Sequence, residues 1–305
     1  MKNEPLDRRA LGLALTRLAN ATVAEVLAND AHAGQNPENA AYRIGFTGPP
    51  GAGKSSLVGR LAQLRNPGRR MGVLAIDPSS QKSGGALLGD RIRMDELENI
   101  QELYIRSFGS RSASDGLTDN LPELIAAMDS FAFDEVIIET VGVGQAEYAV
   151  RPQVDTLVLV LLPDSGDTVQ AMKAGIMEMA DIFVVNKSDL AGARKMAADV
   201  KRIASLRKHS QNEWQPPVLL TSTDAAPSIQ QLSDTINQHR EFLDRSGARA
   251  SLLQERAKYR IKRLIERETA QVMHDLGPDF LKASLLEQYH LTLAELASRS
   301  KLKTS

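Results

Sequence analysis

The stretch Ile44-Gly45-Phe46-Thr47-Gly48-Pro49-Pro50-Gly51-Ala52-Gly53-Lys54-Ser55-Ser56-Leu57-Val58 decides how this chain folds. An apolar, strand-like run enters it and a helix-like run leaves it. Between them stands G-x-x-x-x-G-K-S, the pattern of a phosphate-binding loop in the strand–helix frame it requires. The first amides of a helix have no partner within the helix, and the helix dipole favours an anion beside them. Glycines let the backbone wrap a phosphate without a Cβ in the way. Gly48, Pro49, Pro50, Gly51, Ala52, Gly53, Lys54, Ser55 and Ser56 are therefore read as a nucleotide cradle. Lys54 is placed to reach the β- and γ-phosphates, and the Ser55 hydroxyl to ligate Mg²⁺.

Composition sets the outer bounds. At 305 residues the chain forms one large or two smaller domains with no need of covalent staples. It has no cysteine, which excludes disulfides and thiolate metal sites. Lys and Arg number 37 against 38 Asp and Glu, for a net charge of −1, so there is no global pull towards nucleic acid or an acidic membrane. Met1-Lys2-Asn3-Glu4-Pro5 leads into an amphipathic stretch, not an apolar one. The apolar run Thr156–Pro163 is too short to span a bilayer, and the expectation is a cytoplasmic protein.

Outward from the cradle, short β-rich runs alternate with helical patterns. The runs are Arg43–Thr47, Val73–Ile76, Leu103–Ser107, Val136–Glu139, Thr156–Leu162, Ile182–Val185 and Val218–Thr221. Several are apolar throughout, as strands covered on both faces are. The alternation predicts an α/β fold of the P-loop NTPase kind: a doubly wound, mostly parallel sheet flanked by helices, with its ligand at the C-terminal strand ends. Leu11, Leu15, Leu18, Val23 and Val26 predict one amphipathic helix over residues 7–29. This gives an N-terminal helical extension (1–40), a nucleotide-binding domain (41–245) and a C-terminal helical segment (246–305). In the last, Leu253, Ala257, Ile261, Leu264, Ile265, Val272 and Leu276 form a stripe that either packs on its own domain or faces another subunit. The charges Glu255, Arg256, Lys258, Arg260, Lys262 and Arg263 are assigned to solvent.

Further segments narrow the chemistry. Asn186-Lys187-Ser188-Asp189 follows a strand directly and matches N-K-x-D. The Asp189 carboxylate can accept from guanine N1–H and the 2-amino group together, a pair that adenine does not offer, and an unpaired buried acceptor makes such discrimination sharp. Lys187 would lie along the base, and Asn186 would tie this loop to the phosphate loop. Ser222, Thr223 and Asp224 stand where a guanine O6 contact is expected. Glu139-Thr140-Val141-Gly142 ends another strand, and its carboxylate can hold Mg²⁺ directly or through water. Gln145 is either a water-positioning residue or an ordinary exposed glutamine. Asp77 and Asp90, on separate loops, suit metal coordination or orientation of the attacking water, since phosphoryl transfer needs mainly positioning and charge neutralisation. The catalytic set expected from these readings is Lys54, Asp90, Glu139 and Gln145, and the metal set is Ser55, Asp77, Asp90 and Glu139.

Taken together these segments resemble the MeaB/ArgK family of P-loop GTPases. The residues that carry the resemblance are G-P-P-G-A-G-K-S-S from Gly48, D-P-S-S from Asp77, G-G-A-L-L-G-D-R-I-R-M from Gly84, I-I-E-T-V-G-V-G-Q from Ile137, G-D-T-V-Q-A-M-K-A-G-I-M-E from Gly166 and N-K-S-D from Asn186. The resemblance implies a GTPase that chaperones an adenosylcobalamin-dependent acyl-CoA mutase, methylmalonyl-CoA mutase or a related one. Such a protein gates cofactor loading and helps expel damaged cofactor. The resemblance also implies bound GTP or GDP with Mg²⁺, a homodimer formed through the C-terminal helices, and a partner-sensing switch around Gln170 and Lys173. The older family description, a transport-system ATPase or kinase, and a nickel metallochaperone GTPase are the alternatives. Ser110-Arg111-Ser112-Ala113-Ser114-Asp115-Gly116 departs from the family's glycine-rich pattern, and Ser222-Thr223-Asp224-Ala225-Ala226-Pro227 departs after the last strand.

Overall fold

The computed structural model describes residues 4–30, 40–77, 100–110, 117–140, 146–163, 176–206, 213–277, 280 and 282–302. Asp90, Gln145, Gln170 and Lys173 lie outside the described residues.

The strands are β1 (Tyr42–Thr47), β2 (Met71–Asp77), β3 (Leu103–Gly109), β4 (Glu135–Thr140), β5 (Thr156–Leu161), β6 (Ile182–Val185) and β7 (Val218–Leu220). Among the described residues they form one seven-stranded sheet in the order β3-β2-β4-β1-β5-β6-β7. Every pairing is parallel. Each run expected from the sequence is a strand, and the boundaries differ only at the ends.

Helices cover both faces. They are α1 (Arg8–Ala19), α2 (Val23–Asp30), α3 (Lys54–Arg65), α4 (Leu121–Ser130), α5 (Ala146–Val150), α6 (Ala193–Leu206), α7 (Ala226–Ser246), α8 (Ala248–Asp275) and α9 (Leu285–Leu302). Successive strand residues point to opposite faces, and the two main cores divide accordingly. Val73 and Ile137 pack with Leu57 and Leu61 of α3 and Leu232 and Ile236 of α7. Their neighbours Leu74 and Ile138 pack with Leu11 and Leu15 of α1 and Leu124 and Met128 of α4. All of these side chains are fully buried, and each contributes about 1.5–3 kcal/mol of transfer free energy.

Two local expectations are revised. The helix predicted over 7–29 is two helices. Asn20 closes α1, its N–H bonding back to Arg17 and Leu18. Thr22 and Glu25 then form a reciprocal cap on α2: the Thr22 N–H donates to Glu25 Oε2 at 2.8 Å, and the Glu25 N–H donates to Thr22 Oγ1 at 3.3 Å. Thr-x-x-Glu is a helix-start signal that overrides the continuing apolar period.

The second revision concerns α8. Its arginines do not all face solvent: Arg256 and Arg263 are buried, while Ile261 and Ile265 are 55% and 57% exposed. The reason is a row of acids on the domain. Arg256 pairs with Asp155 at 2.7 Å, Arg260 with Glu123 at 2.9 Å and Arg263 with Asp119 at 3.1 Å. Arg267 bonds Asn120 and the Ala21 carbonyl. Leu264 and Val272 are the buried apolar residues of this helix. The helix thus docks mainly through charged groups and turns part of its apolar stripe outward.

Candidate nucleotide-binding site

The phosphate loop leaves β1 at Thr47 and enters α3 at Lys54. Gly48 has φ +138°, and a Cβ there would stand 2.0 Å from the Val160 carbonyl oxygen of β5. Gly51 and Gly53 sit at φ +77° and +81°. These are backbone states that side-chain-bearing residues rarely adopt, so the glycines of the motif are required by geometry. Gly53 is also approached by the loop after β6: a Cβ there would lie 2.6 Å from Asn186 Nδ2.

Lys54 is buried, and its ammonium donates to the Gly48 carbonyl at 2.7 Å and the Pro49 carbonyl at 3.0 Å. The charge is held inside the loop it would neutralise phosphate in. Ser55, the next residue of α3, donates its hydroxyl to Glu139 Oε1 at 2.6 Å. Glu139 is the penultimate residue of β4, and Asp77 is the last residue of β2. Both are buried.

These groups border one cavity of about 210 Å³. Pro50, Gly51, Gly53, Lys54, Ser55 and Ser56 form its floor and side, Asp77 and Glu139 the acidic wall, and Asn186, Lys187 and Thr223 the far wall. Ile76 and Thr140 also line it; the sequence marked them only as the end of the Val73–Ile76 run and as part of the E-T-V-G run, not as site residues. The Thr140 hydroxyl donates to Thr47 Oγ1 at 3.0 Å, joining the ends of β4 and β1 behind the loop. Strand ends converging on each side of β1 make this the switch point of the sheet, where doubly wound folds bind ligands.

The loop after β6 is fixed from two sides. Asn186 Nδ2 donates to the Ala52 carbonyl at 2.8 Å, and Asn186 Oδ1 accepts from the Thr221 hydroxyl at 2.9 Å. The Ser188 N–H donates to the Thr221 carbonyl at 2.9 Å. Lys187 adopts φ +52°, a left-handed residue of the kind that functional loops retain. Asp189 and Asp224 are exposed, outside the cavity lining, and Ser222 is half-buried.

The donor set suits a hard cation: a hydroxyl and two carboxylates, all oxygen. Among the described residues no group of three or more His, Cys, Asp and Glu side chains is arranged to hold a metal ion.

The family description "Methylmalonyl Co-A mutase-associated GTPase MeaB" matches residues 10–276, most of the chain. This chain belongs to the MeaB family. A protein of Pyrococcus abyssi named as a GTPase is 43% identical over 228 residues, 74% of this chain and 70% of its own length. The mouse protein named "Methylmalonic aciduria type A homolog, mitochondrial" is 38% identical over 229 residues, 74% of this MeaB-family chain but 55% of its own. A solved structure described as a LAO/AO transport system kinase superposes with a TM-score of 0.61 at 22% identity. It covers 98% of this chain and 100% of that one, a likeness of fold. These matches cover most of the chain, so the P-loop NTPase fold extends over the MeaB-family segment and is not confined to the loop.

Proposed function

We propose that this chain is a Mg²⁺-dependent GTPase that chaperones a cobalamin-dependent acyl-CoA mutase, gating adenosylcobalamin loading and protecting the loaded enzyme. The observation that carries the hydrolytic part is the convergence of Lys54, Ser55, Asp77, Glu139 and Asn186 on one cavity. The mutase part rests on membership of a family described as methylmalonyl-CoA mutase-associated.

In this reading the amides of residues 48–56 and the Lys54 ammonium bind the phosphates. Asp189 reads guanine, with Lys187 along the base and Ser222, Thr223 and Asp224 closing its edge. Bound Mg²⁺ would neutralise charge on the phosphates, held by Ser55 with Asp77 and Glu139 beside it. Asp90 and Gln145 complete the proposed catalytic set, and Gln170 and Lys173 form the proposed partner switch.

The protein is further proposed to act in the cytoplasm as a homodimer through residues 246–305. Support for the dimer comes from Ile261, Ile265, Leu285, Leu286 and Tyr289, which are 55–83% exposed on α8 and α9. Among the described residues no helix is long and apolar enough to cross a membrane.

The test has two arms. Calorimetry with GTP, GDP and ATP in Mg²⁺, together with phosphate release from GTP, should give guanine-selective binding and turnover. Co-purification with an adenosylcobalamin-dependent mutase in the presence of a non-hydrolysable GTP analogue should give a complex. Absence of guanine-nucleotide binding refutes the first part, and absence of the complex refutes the second.

A further inference from the structure

Helix α3 and strand β4 are joined by side chains at both ends. At the front, Ser55 meets Glu139 at 2.6 Å. At the rear, Arg65 grips Glu135 with two bonds, Nε to Oε2 and Nη2 to Oε1, each 2.7 Å. Arg65 is the last residue of α3 and Glu135 the first of β4, so the pairs lie at opposite ends of the same two elements. The spans match: ten residues of helix rise about 15 Å, and four residues of strand about 13 Å.

The rear pair is fully enclosed, with side-chain exposures of 1% and 0%. Beyond Glu135, the Arg65 guanidinium donates to Ser233 O at 3.0 Å, Ser233 Oγ at 2.7 Å and Asn237 Oδ1 at 2.9 Å, all on α7. With the two carboxylate bonds, every N–H of the fork has an acceptor. Arg69 adds a further bond to Glu135 Oε1 at 3.0 Å. A bidentate pair of this kind is directional, whereas the apolar contacts between α3 and the sheet are not.

We propose that Arg65 and Glu135 are positioning residues for the metal–nucleotide site: they set the register of α3 against β4 and thereby the approach of Ser55 to Glu139. This inference rests on the Mg²⁺-dependent GTPase reading. A slide of α3 by one residue, about 1.5 Å, changes the length or the angle of the 2.6 Å approach of the Ser55 hydroxyl to Glu139. Backbone phosphate contacts travel with the loop and α3. The geometry between Ser55 and the carboxylate wall does not, and Mg²⁺ tolerates little distortion of its octahedron. The rear anchor therefore matters to the metal more than to the phosphates.

The test compares full-length wild type with Arg65→Lys, Glu135→Gln and the double variant Arg65→Met/Glu135→Met. The double variant leaves no buried unpaired charge if a single variant fails to fold. A destabilised control, Leu124→Ala on the opposite face of the sheet, is carried alongside. The readouts are the Mg²⁺ concentration for half-maximal GTP binding and the affinity for GDP in chelator. The expected result is a rise of about tenfold in the half-saturating Mg²⁺, as outer-shell groups typically give. GDP affinity in chelator stays unchanged, and so does the Mg²⁺ requirement of the control. An unchanged Mg²⁺ requirement in the folded variants, or an equal shift in Leu124→Ala, overturns the inference while leaving the GTPase reading standing. Wild type that binds GTP without regard to Mg²⁺ overturns that reading and the inference with it.

Discussion

The Asn186 side-chain amide donates to the Ala52 carbonyl at 2.8 Å, so the loop that would read the base is bolted to the loop that would hold the phosphates. The two loops lie 134 positions apart in the chain, and both ends of the bond are buried. A nucleotide binding across them would meet a pre-set spacing, which lowers the ordering cost of binding.

Removing that bolt should be felt in both stability and binding. Asn186→Ala strips a partner from the Ala52 carbonyl and from the Thr221 hydroxyl, and such losses cost about 1–3 kcal/mol. Chemical denaturation should register the loss, and calorimetry should show weaker GTP and GDP binding alike.

Asp189→Asn should instead act on base choice. A hydrogen bond to a charged acceptor contributes about 1.5–3 kcal/mol, so the GTP-over-ATP preference should fall by about ten- to a hundredfold. Competition binding measures the ratio. A preference equal to wild type removes Asp189 from guanine recognition.

The glycines of the phosphate loop differ in what they tolerate. Nothing lies within 4 Å of a Cβ at Gly51, whereas one at Gly48 meets the Val160 carbonyl oxygen at 2.0 Å. Gly51→Ala should cost about 1–2 kcal/mol of left-handed strain. Gly48→Ala adds a backbone collision, and its loss of thermal stability should be clearly larger in differential scanning calorimetry.

Helix α8 should prove to be held by charge. Arg256→Ala leaves buried Asp155 without its guanidinium and should cost about 3–5 kcal/mol in urea unfolding. Lys258→Ala, in an exposed pair with Glu255, should cost about 0–1 kcal/mol. Truncation at 247 would strip buried Asp155 and Glu123 of their guanidinium partners, so the proposed dimer is better tested with Ile261→Glu/Ile265→Glu. Light scattering should report a monomer for that variant, and a persisting dimer would remove α8 from the interface.

His239 gives the fold a pH dependence. It is buried, its Nδ1 lies 2.7 Å from Thr156 Oγ1, and Trp214 and Phe242 flank its ring. Burial holds its pKa below the usual 6.5, against the opposing pull of Asp181 and Asp155, and Arg151 reinforces the lowering. The unfolded chain therefore binds the proton more readily, and stability falls as pH drops below about 6.5 towards the folded value. His239→Gln should flatten the urea-midpoint profile on the acid side of neutrality; an unaltered slope assigns the dependence to other groups.

Much of the site was legible because it is local. Residues 48–55 and 186–189 are contiguous runs whose spacing encodes a backbone shape, and the alternation of apolar strands with helical periods encodes the layers. Misreadings arose where a short signal competed with a long one. The cap at Thr22 and Glu25 interrupts an apolar period that runs on across it. On α8 the arginines look solvent-facing because their acids, Asp155, Glu123 and Asp119, sit far off in the sequence.

By itself the sequence determined the phosphate loop, the order of strands and helices along the chain, and the carboxylates Asp77 and Glu139 as strand-end groups. These depend on residue type and short-range periodicity. Only the tertiary structure decided which strand neighbours which, that Ser55 touches Glu139 while Arg65 grips Glu135, and that α8 docks through its arginines. Those contacts depend on partners tens to hundreds of residues away, and a buried charge finds its place only once the acid that neutralises it has been folded against it.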